Sequence, residues 1–199
     1  GAVCTTYGVG ELSAINAVAG AYAEHLPVFH LVGMPNMATQ AGRKLVHHTL
    51  GNGEYDLFRR MTEPVVAAHA VLTPENAAQE TERLIHAALY HRRPVYMAFP
   101  ADLATRPVIG TAAPIPLPAS NPETLETVVG AIADAIGRAK SAVALAGMLI
   151  GRCGQARAFE ALLDASGLPY ATMFMGKSVI DERHPNYIGM YDGTLLEPE

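Results

Sequence analysis

Two short apolar runs constrain this chain more than anything else in it. Residues 28–32 read Val-Phe-His-Leu-Val between Pro27 and Gly33, and residues 94–100 read Pro-Val-Tyr-Met-Ala-Phe-Pro. A strand with one solvated face alternates apolar and polar residues. A near-continuous apolar run of this length is how a strand buried on both faces reads, and such strands belong to parallel sheets covered by helices. The region upstream of the first run agrees. Residues 2–7 are β-prone, and Gly8 and Gly10 break them. Leu12, Ile15, Ala19 and Tyr22 then recur at helical spacing, with Glu11 placed where the helix dipole favours an acid. Ala14, Ala17, Gly20 and Ala21 are small enough for close packing on a sheet, and Pro27 ends the helix. Residues 2–32 therefore read as a β-α-β unit.

The rhythm continues. Residues 35–53 are polar and weakly periodic, and they follow a strand's C-terminal end, where open α/β sheets place their sites. A short helix is expected over 55–61. Residues 64–71 read as a strand or an irregular apolar segment. Thr73, Pro74 and Glu75 form a helix start, with Thr73 as N-cap and Pro74 at the first position. That helix runs to His91 with Ala77, Ala78, Thr81, Leu84, Ile85 and Ala88 on its buried side. Arg92 and Arg93 stand at its negative end. Pro107, Pro114, Pro116, Pro118 and Pro122 mark residues 104–122 as an extended linker. Beyond it, Asn121 and Pro122 open a helix with an apolar stripe of Leu125, Val128, Val129, Ile132 and Ile136. A strand over 141–146, a helix over 154–166 closed by Gly167, and a strand over 169–174 follow. The fold class is α/β, with parallel-sheet doubly wound domains on either side of a linker.

Composition excludes several functions. With 199 residues, half of them hydrophobic, the chain can bury a sizeable core. Its formal net charge is −5 and no Lys/Arg-rich run occurs, which argues against a nucleic-acid face or an anionic membrane surface. Cys4 and Cys153 are the only cysteines, too few and too far apart for a disulfide framework or a zinc pattern. No apolar run approaches the ~20 residues of a membrane span, and no signal-peptide pattern opens the chain. A cytoplasmic location is expected. The chain starts in a β-prone run without Met and stops at residues 195–199 without a closing element, so an internal part of a longer protein is expected.

The chemistry-bearing positions are few. Residues 45–53, Leu-Val-His-His-Thr-Leu-Gly-Asn-Gly, place His47 and His48 side by side before a Gly-Asn-Gly turn. Neighbours in sequence cannot share a face of a regular element, but a loop can aim both at one pocket. Imidazoles titrate near neutral pH and can both give and take protons. Gly8, Gly10 and Ser13 occupy a phosphate-loop position but miss the third glycine, and Glu11 would repel a phosphate. The turn is expected to let the backbone approach a ligand or a neighbouring subunit. Gly176, Lys177 and Ser178 lack the upstream glycine of a P-loop, since Ala171 stands there. Cys4 is expected to be buried in its strand. Cys153, beside Arg152, is expected to be inert. Glu24 and His25 read as a capped, solvated helix end, and His30 as a hydrogen-bonded core histidine. His69, His86, His91 and His184 show no metal-ligand spacing.

Several stretches together resemble the thiamine-diphosphate-dependent 2-oxo acid decarboxylases (pyruvate, indolepyruvate, phenylpyruvate and branched-chain oxo acid decarboxylases). They are residues 5–16 (TTYGVGELSAIN), 21–25 (AYAEH), 45–53 (LVHHTLGNG) and 93–96 (RPVY), followed by 175–185 (MGKSVIDERHP) and 188–194 (IGMYDGT). The resemblance implies the C-terminal half of a pyrimidine-binding domain over 1–103, the linker over 104–122, and the N-terminal half of a Rossmann-like central domain over 123–199. It implies a homo-oligomer, a dimer of dimers, with active sites between subunits.

It also implies chemistry. Thiamine diphosphate, anchored through Mg²⁺, takes up the electron pair left when a 2-oxo acid loses CO2, and an aldehyde is released. His47 and His48 match the positions that transfer protons and place the substrate. Thr6, Gly8 and Val9 match the strand end beside the cofactor's pyrimidine. The cofactor-activating glutamate is expected upstream of Gly1, and the diphosphate and metal ligands downstream of Glu199, so the chain alone is expected to be inactive. Some members are activated by substrate through a central-domain cysteine. The matching residues 147–152 hold no thiol, although Glu24 and His25 match the helix end of that route. Two alternatives stand beside this reading: a carboligating, acetolactate synthase-like enzyme, and a non-catalytic α/β module serving assembly or regulation.

Overall fold

The two apolar runs become adjacent parallel strands. The structure, a computed structural model, describes residues 1–193. β1 (Ala2–Thr6) runs parallel to β2 (Phe29–Met34), from Ala2 opposite Phe29 to Thr6 opposite Gly33. β2 pairs parallel with β4 (Val95–Pro100), and β4 with β3 (Ala68–Val71), giving the order β1-β2-β4-β3. Parallel neighbours need long crossovers. α1 (Val9–Ala23) makes the first, and α4 (Ala77–His91) joins β3 to β4. One sheet face packs Val18 of α1 against Val32, Met34, Tyr96 and Ala98; the other packs Leu84 and Ala88 of α4 against Ala70 and Val95. Val95 and Tyr96 thus point to opposite faces and are both buried, which is why this strand reads as an unbroken apolar run.

Several expectations are corrected. Cys4 is exposed, because β1 lies at the end of the four-strand order. Thr73 does not cap α4. Asn76 Oδ1 accepts from Thr73 N at 2.8 Å and Thr73 Oγ1 accepts from Asn76 N at 3.3 Å, which closes a turn, and the helix begins only at Ala77. Asn side chains compete with helix by bonding nearby backbone in this way. On α4, Leu84, Ala87 and Ala88 are buried, whereas Ala77, Ala78, Thr81 and Ile85 line an open groove of about 720 Å³. The unsettled segment 64–71 resolves into a 3-10 turn at Glu63–Val65 and then β3. α2 (Met37–Ala41) and α3 (Leu57–Thr62) flank the histidine loop.

The chain divides into two compact units, Gly1–Pro118 and Ala119–Glu199. Residues 107–121 carry no helix or strand. In the second unit, α5 (Pro122–Arg138) is capped as its sequence dictates, Asn121 Oδ1 accepting from Thr124 N at 2.9 Å. Its apolar stripe, however, is exposed. β5 (Ala144–Ala146), β6 (Tyr170–Met173) and β7 (Tyr187–Tyr191) form a parallel sheet in that order. Ala146, Leu163, Tyr170 and Ile180 make its core. α6 (Met148–Arg152) and β7 were not anticipated; the β6–β7 register shifts by one residue between Tyr187 and Gly189, which has φ +121°. α7 (Ala156–Ser166) ends on Gly167 at φ +67°, the left-handed position that suits glycine. Thr194 of the family-like stretch and the tail at 195–199 lie outside the described residues.

Candidate active site

The turn between β1 and α1 and the histidine loop are built against each other. Gly8 precedes α1 with φ +63° and ψ −106°, a region closed to most side chains. A β-carbon at Gly8 would collide with the carbonyl oxygen of His48. What approaches this glycine within the chain is the backbone of His48. Gly10 serves another purpose: a β-carbon there would stand 2.9 Å from Thr6 Cγ2, so its absence lets α1 seat on β1.

The histidine loop is held at both ends. Arg43 N bonds to Gln40 O at 3.0 Å and Lys44 N to Thr39 O at 3.2 Å as the chain leaves α2, and the Tyr55 hydroxyl donates to Lys44 O. Gly53, at φ +73°, is buried against Arg43, with room for no side chain: a β-carbon would lie 2.6 Å from Arg43 O. Inside the loop Thr49 Oγ1 donates to Val46 O at 2.8 Å and accepts from Gly51 N at 3.2 Å, a local turn. His48 has φ +63°, uncommon for a residue with a side chain. Its ring lies 5.7 Å from that of Tyr7 and 5.2 Å from that of His47, centroid to centroid. Both histidines are exposed. The loop thus presents two neighbouring imidazoles to solvent from a well-pinned backbone.

Beneath this surface lies Glu11, only 1% exposed. Its Oε1 accepts from Gly8 N at 2.7 Å and its Oε2 from the Tyr96 hydroxyl at 2.7 Å. Burial raises the Glu11 pKa above the ordinary carboxyl value, against the two hydrogen bonds, which lower it. Burial, and then the neighbouring Glu11, push the Tyr96 hydroxyl up. The sequence reads Glu11 as a helix-dipole acid and gives Tyr96 and Tyr7 no role in the site. Signals were present: Glu11 stands three residues after Gly8, the capping-box spacing, and a tyrosine in a buried strand needs a partner for its hydroxyl.

Of the other anticipated positions, Thr6 ends β1 and Val9 begins α1, both exposed, on either side of the buried Gly8. Gly8 is brought against His48. His30 is fully buried in β2, its Nε2 2.9 Å from Thr5 Oγ1 and its Nδ1 without a hydrogen-bond partner. His25, at φ +55°, has its Nε2 2.9 Å from Arg93 Nη2, and Arg93 lies over the Tyr22 ring at 4.3 Å, so this helix end is tied down rather than simply solvated. Among the described residues no three His, Cys, Asp or Glu side chains gather as a metal site, and no helix is long and apolar enough to cross a membrane. In the second unit, residues 147–150 border an open apolar cavity of about 680 Å³ with Met173, Met175 and Tyr191.

Parallel α/β units whose sites lie at strand ends define a broad class of ligand-binding proteins; comparison with known proteins narrows it. Residues 1–57 match the thiamine pyrophosphate enzyme N-terminal TPP binding domain, and residues 129–197 match the thiamine pyrophosphate enzyme central domain. The chain belongs to the thiamine pyrophosphate enzymes, of which it carries parts of these two domains. It is 41% identical to a pyruvate decarboxylase of Hanseniaspora uvarum, with all of this chain and 36% of that protein aligned. An alpha-keto-acid decarboxylase of Mycobacterium ulcerans is 42% identical over 97% of this chain and 34% of its own length. A pyruvate decarboxylase of Kluyveromyces marxianus is 40% identical over 99% of this chain and 36% of its own. The chain therefore spans about a third of the length of the curated relatives it matches.

Proposed function

We propose that this chain is part of a thiamine-diphosphate-dependent carboxy-lyase that converts a 2-oxo acid to an aldehyde and CO2. The observation that carries this reading is the histidine loop docked on the β1–α1 turn, inside the region matching a TPP binding domain. Names of relatives at about 40% identity support the same activity. The residues present suit the cofactor's flat pyrimidine: Thr6 and Val9 stand exposed at the C-terminal edge of β1, and Val9, 54% exposed, offers an apolar flank. Gly8 contributes indirectly, by admitting the His48 backbone. When bound, thiamine diphosphate supplies the electron sink for the pair released with CO2. The diphosphate and its Mg²⁺ call for ligands beyond those gathered here.

His47 and His48 hold and move protons at their ring nitrogens. Two imidazoles 5.2 Å apart can divide the work, one as proton donor to the forming aldehyde and one orienting the substrate carboxylate. The protein works as a homo-oligomer, a dimer of dimers, in the cytoplasm; two exposed, unpaired cysteines fit a reducing compartment. The full-length protein should release CO2 from a 2-oxo acid only with both thiamine diphosphate and Mg²⁺ present, and chelation should abolish turnover. His48→Ala should lower turnover by ~10²–10⁴-fold, the usual worth of an acid–base group. Wild-type turnover in that variant would refute the role assigned to His48.

A further inference from the structure

Among the described residues Glu11 is the one buried carboxylate, and neither of its partners, Gly8 N–H and the Tyr96 hydroxyl, is a cation. Such a group is costly to bury, and an apolar side chain of similar size would serve packing alone at least as well. What the carboxylate supplies is a hydrogen bond to the amide of Gly8, the residue whose bare α-carbon lies under the His48 carbonyl. The second bond anchors the carboxylate to Tyr96 in β4, at the middle of the sheet. A chain of direct contacts therefore runs from β4 through Tyr96, Glu11 and Gly8 to the backbone of His48. That backbone sits at φ +63°, a conformation its own side chain does not favour and its surroundings must hold.

We propose that Glu11 is a positioning residue: by fixing the Gly8 amide it sets the backbone of His48 and so the aim of its imidazole. The assignment of a proton-transfer role to His48 is the reading on which the kinetic consequence rests. Glu11 itself touches neither imidazole in the contacts described, so its effect is conveyed by geometry. Tyr7, whose ring lies 5.7 Å from that of His48, belongs to the same turn and shifts with it.

The test uses the full-length holoenzyme with Glu11→Gln and Tyr96→Phe. Two quantities are read: kcat and KM per titrated active site, and the rate at which diethyl pyrocarbonate modifies His48, followed by peptide mass spectrometry against His86 on α4 as internal control. Glu11→Gln should lower kcat by ~10-fold, less than the ~10²–10⁴-fold expected for losing the imidazole itself, with KM little changed. It should raise the His48 modification rate several-fold and leave His86 alone. Tyr96→Phe should move both in the same direction by less. A Glu11→Gln enzyme that melts earlier yet keeps kcat and His48 reactivity would overturn the proposal, since Glu11 would then be a packing group only. If Glu11→Gln does not fold, Tyr96→Phe decides, and unchanged His48 reactivity in it overturns the proposal. His48→Ala runs alongside. Should it retain full turnover, the proton-transfer reading fails, and the modification rates alone judge whether Glu11 positions His48.

Discussion

Two glycines of the site have nearly the same torsion but opposite surroundings. Gly8 has φ +63° beneath the His48 carbonyl; Gly51 has φ +69° with nothing within reach of an added β-carbon. Gly51→Ala should therefore cost only the backbone strain of a left-handed alanine, about 1 kcal/mol. Gly8→Ala adds overpacking of ~1–3 kcal/mol and a displaced His48. Denaturant midpoints of the two variants measure the difference, and equal losses would contradict the contact. His30 gives a pH dependence. Burial lowers its pKa below the ordinary imidazole value, so the unfolded chain binds its proton first as pH falls. The stability this neutral histidine confers is full above the unfolded value of ~6.5 and is lost as pH drops through and below it. His30→Gln should flatten the stability profile between about pH 7 and 5; an unchanged slope would place the titration elsewhere. His30 was legible as a core histidine from its apolar run. Glu11 was not, because a buried acid and a dipole-stabilising acid occupy the same sequence position, and only the strand that passes behind the helix tells them apart.

At the scale of elements, α4 separates two neighbouring residues cleanly. Leu84 is fully buried, while Ile85 lines the open groove. Leu84→Ala should cost ~2–5 kcal/mol, as truncation in a packed core does. Ile85→Ala should cost far less, and thermal unfolding of the pair provides the check. The 3.6-residue spacing announced this helix and the apolar runs announced β2 and β4, because periodicity and continuity are properties of local sequence. On α4 Leu84 and Ala88 were legible as buried, but how completely their neighbours Ala77, Ala78, Thr81 and Ile85 are covered was not, because that depends on partners distant along the chain. The same limit applies to α5, whose apolar stripe is real but exposed. The start of α4 failed for a smaller reason: Thr73 and Asn76 prefer each other to the helix amides.

For the whole molecule, the proline-rich stretch is the weak point. Residues 107–121 carry no regular structure, and the side chains from 113 to 120 are all exposed. Exposed, unpaired backbone of this kind is where proteases cut first. Limited elastase digestion should nick between residues 111 and 120 before touching either sheet; early cuts inside β2 or β4 would mean that the first unit is not the stable body its core suggests. Residues 47 and 48 stood out as a neighbouring pair in a loop, and the α/β class and most of the order of strands and helices could be read in advance. The docking of residue 48 onto residue 8 could not, since forty residues separate them and nothing local records the meeting. That docking has a consequence for transplantation. A histidine loop moved alone onto another α/β scaffold would arrive without the bare α-carbon it rests on. The transferable unit is discontinuous: residues 43–53, the turn at 7–11, and a tyrosine on the strand behind them. A graft that omits any one should carry both histidines and still aim them wrongly.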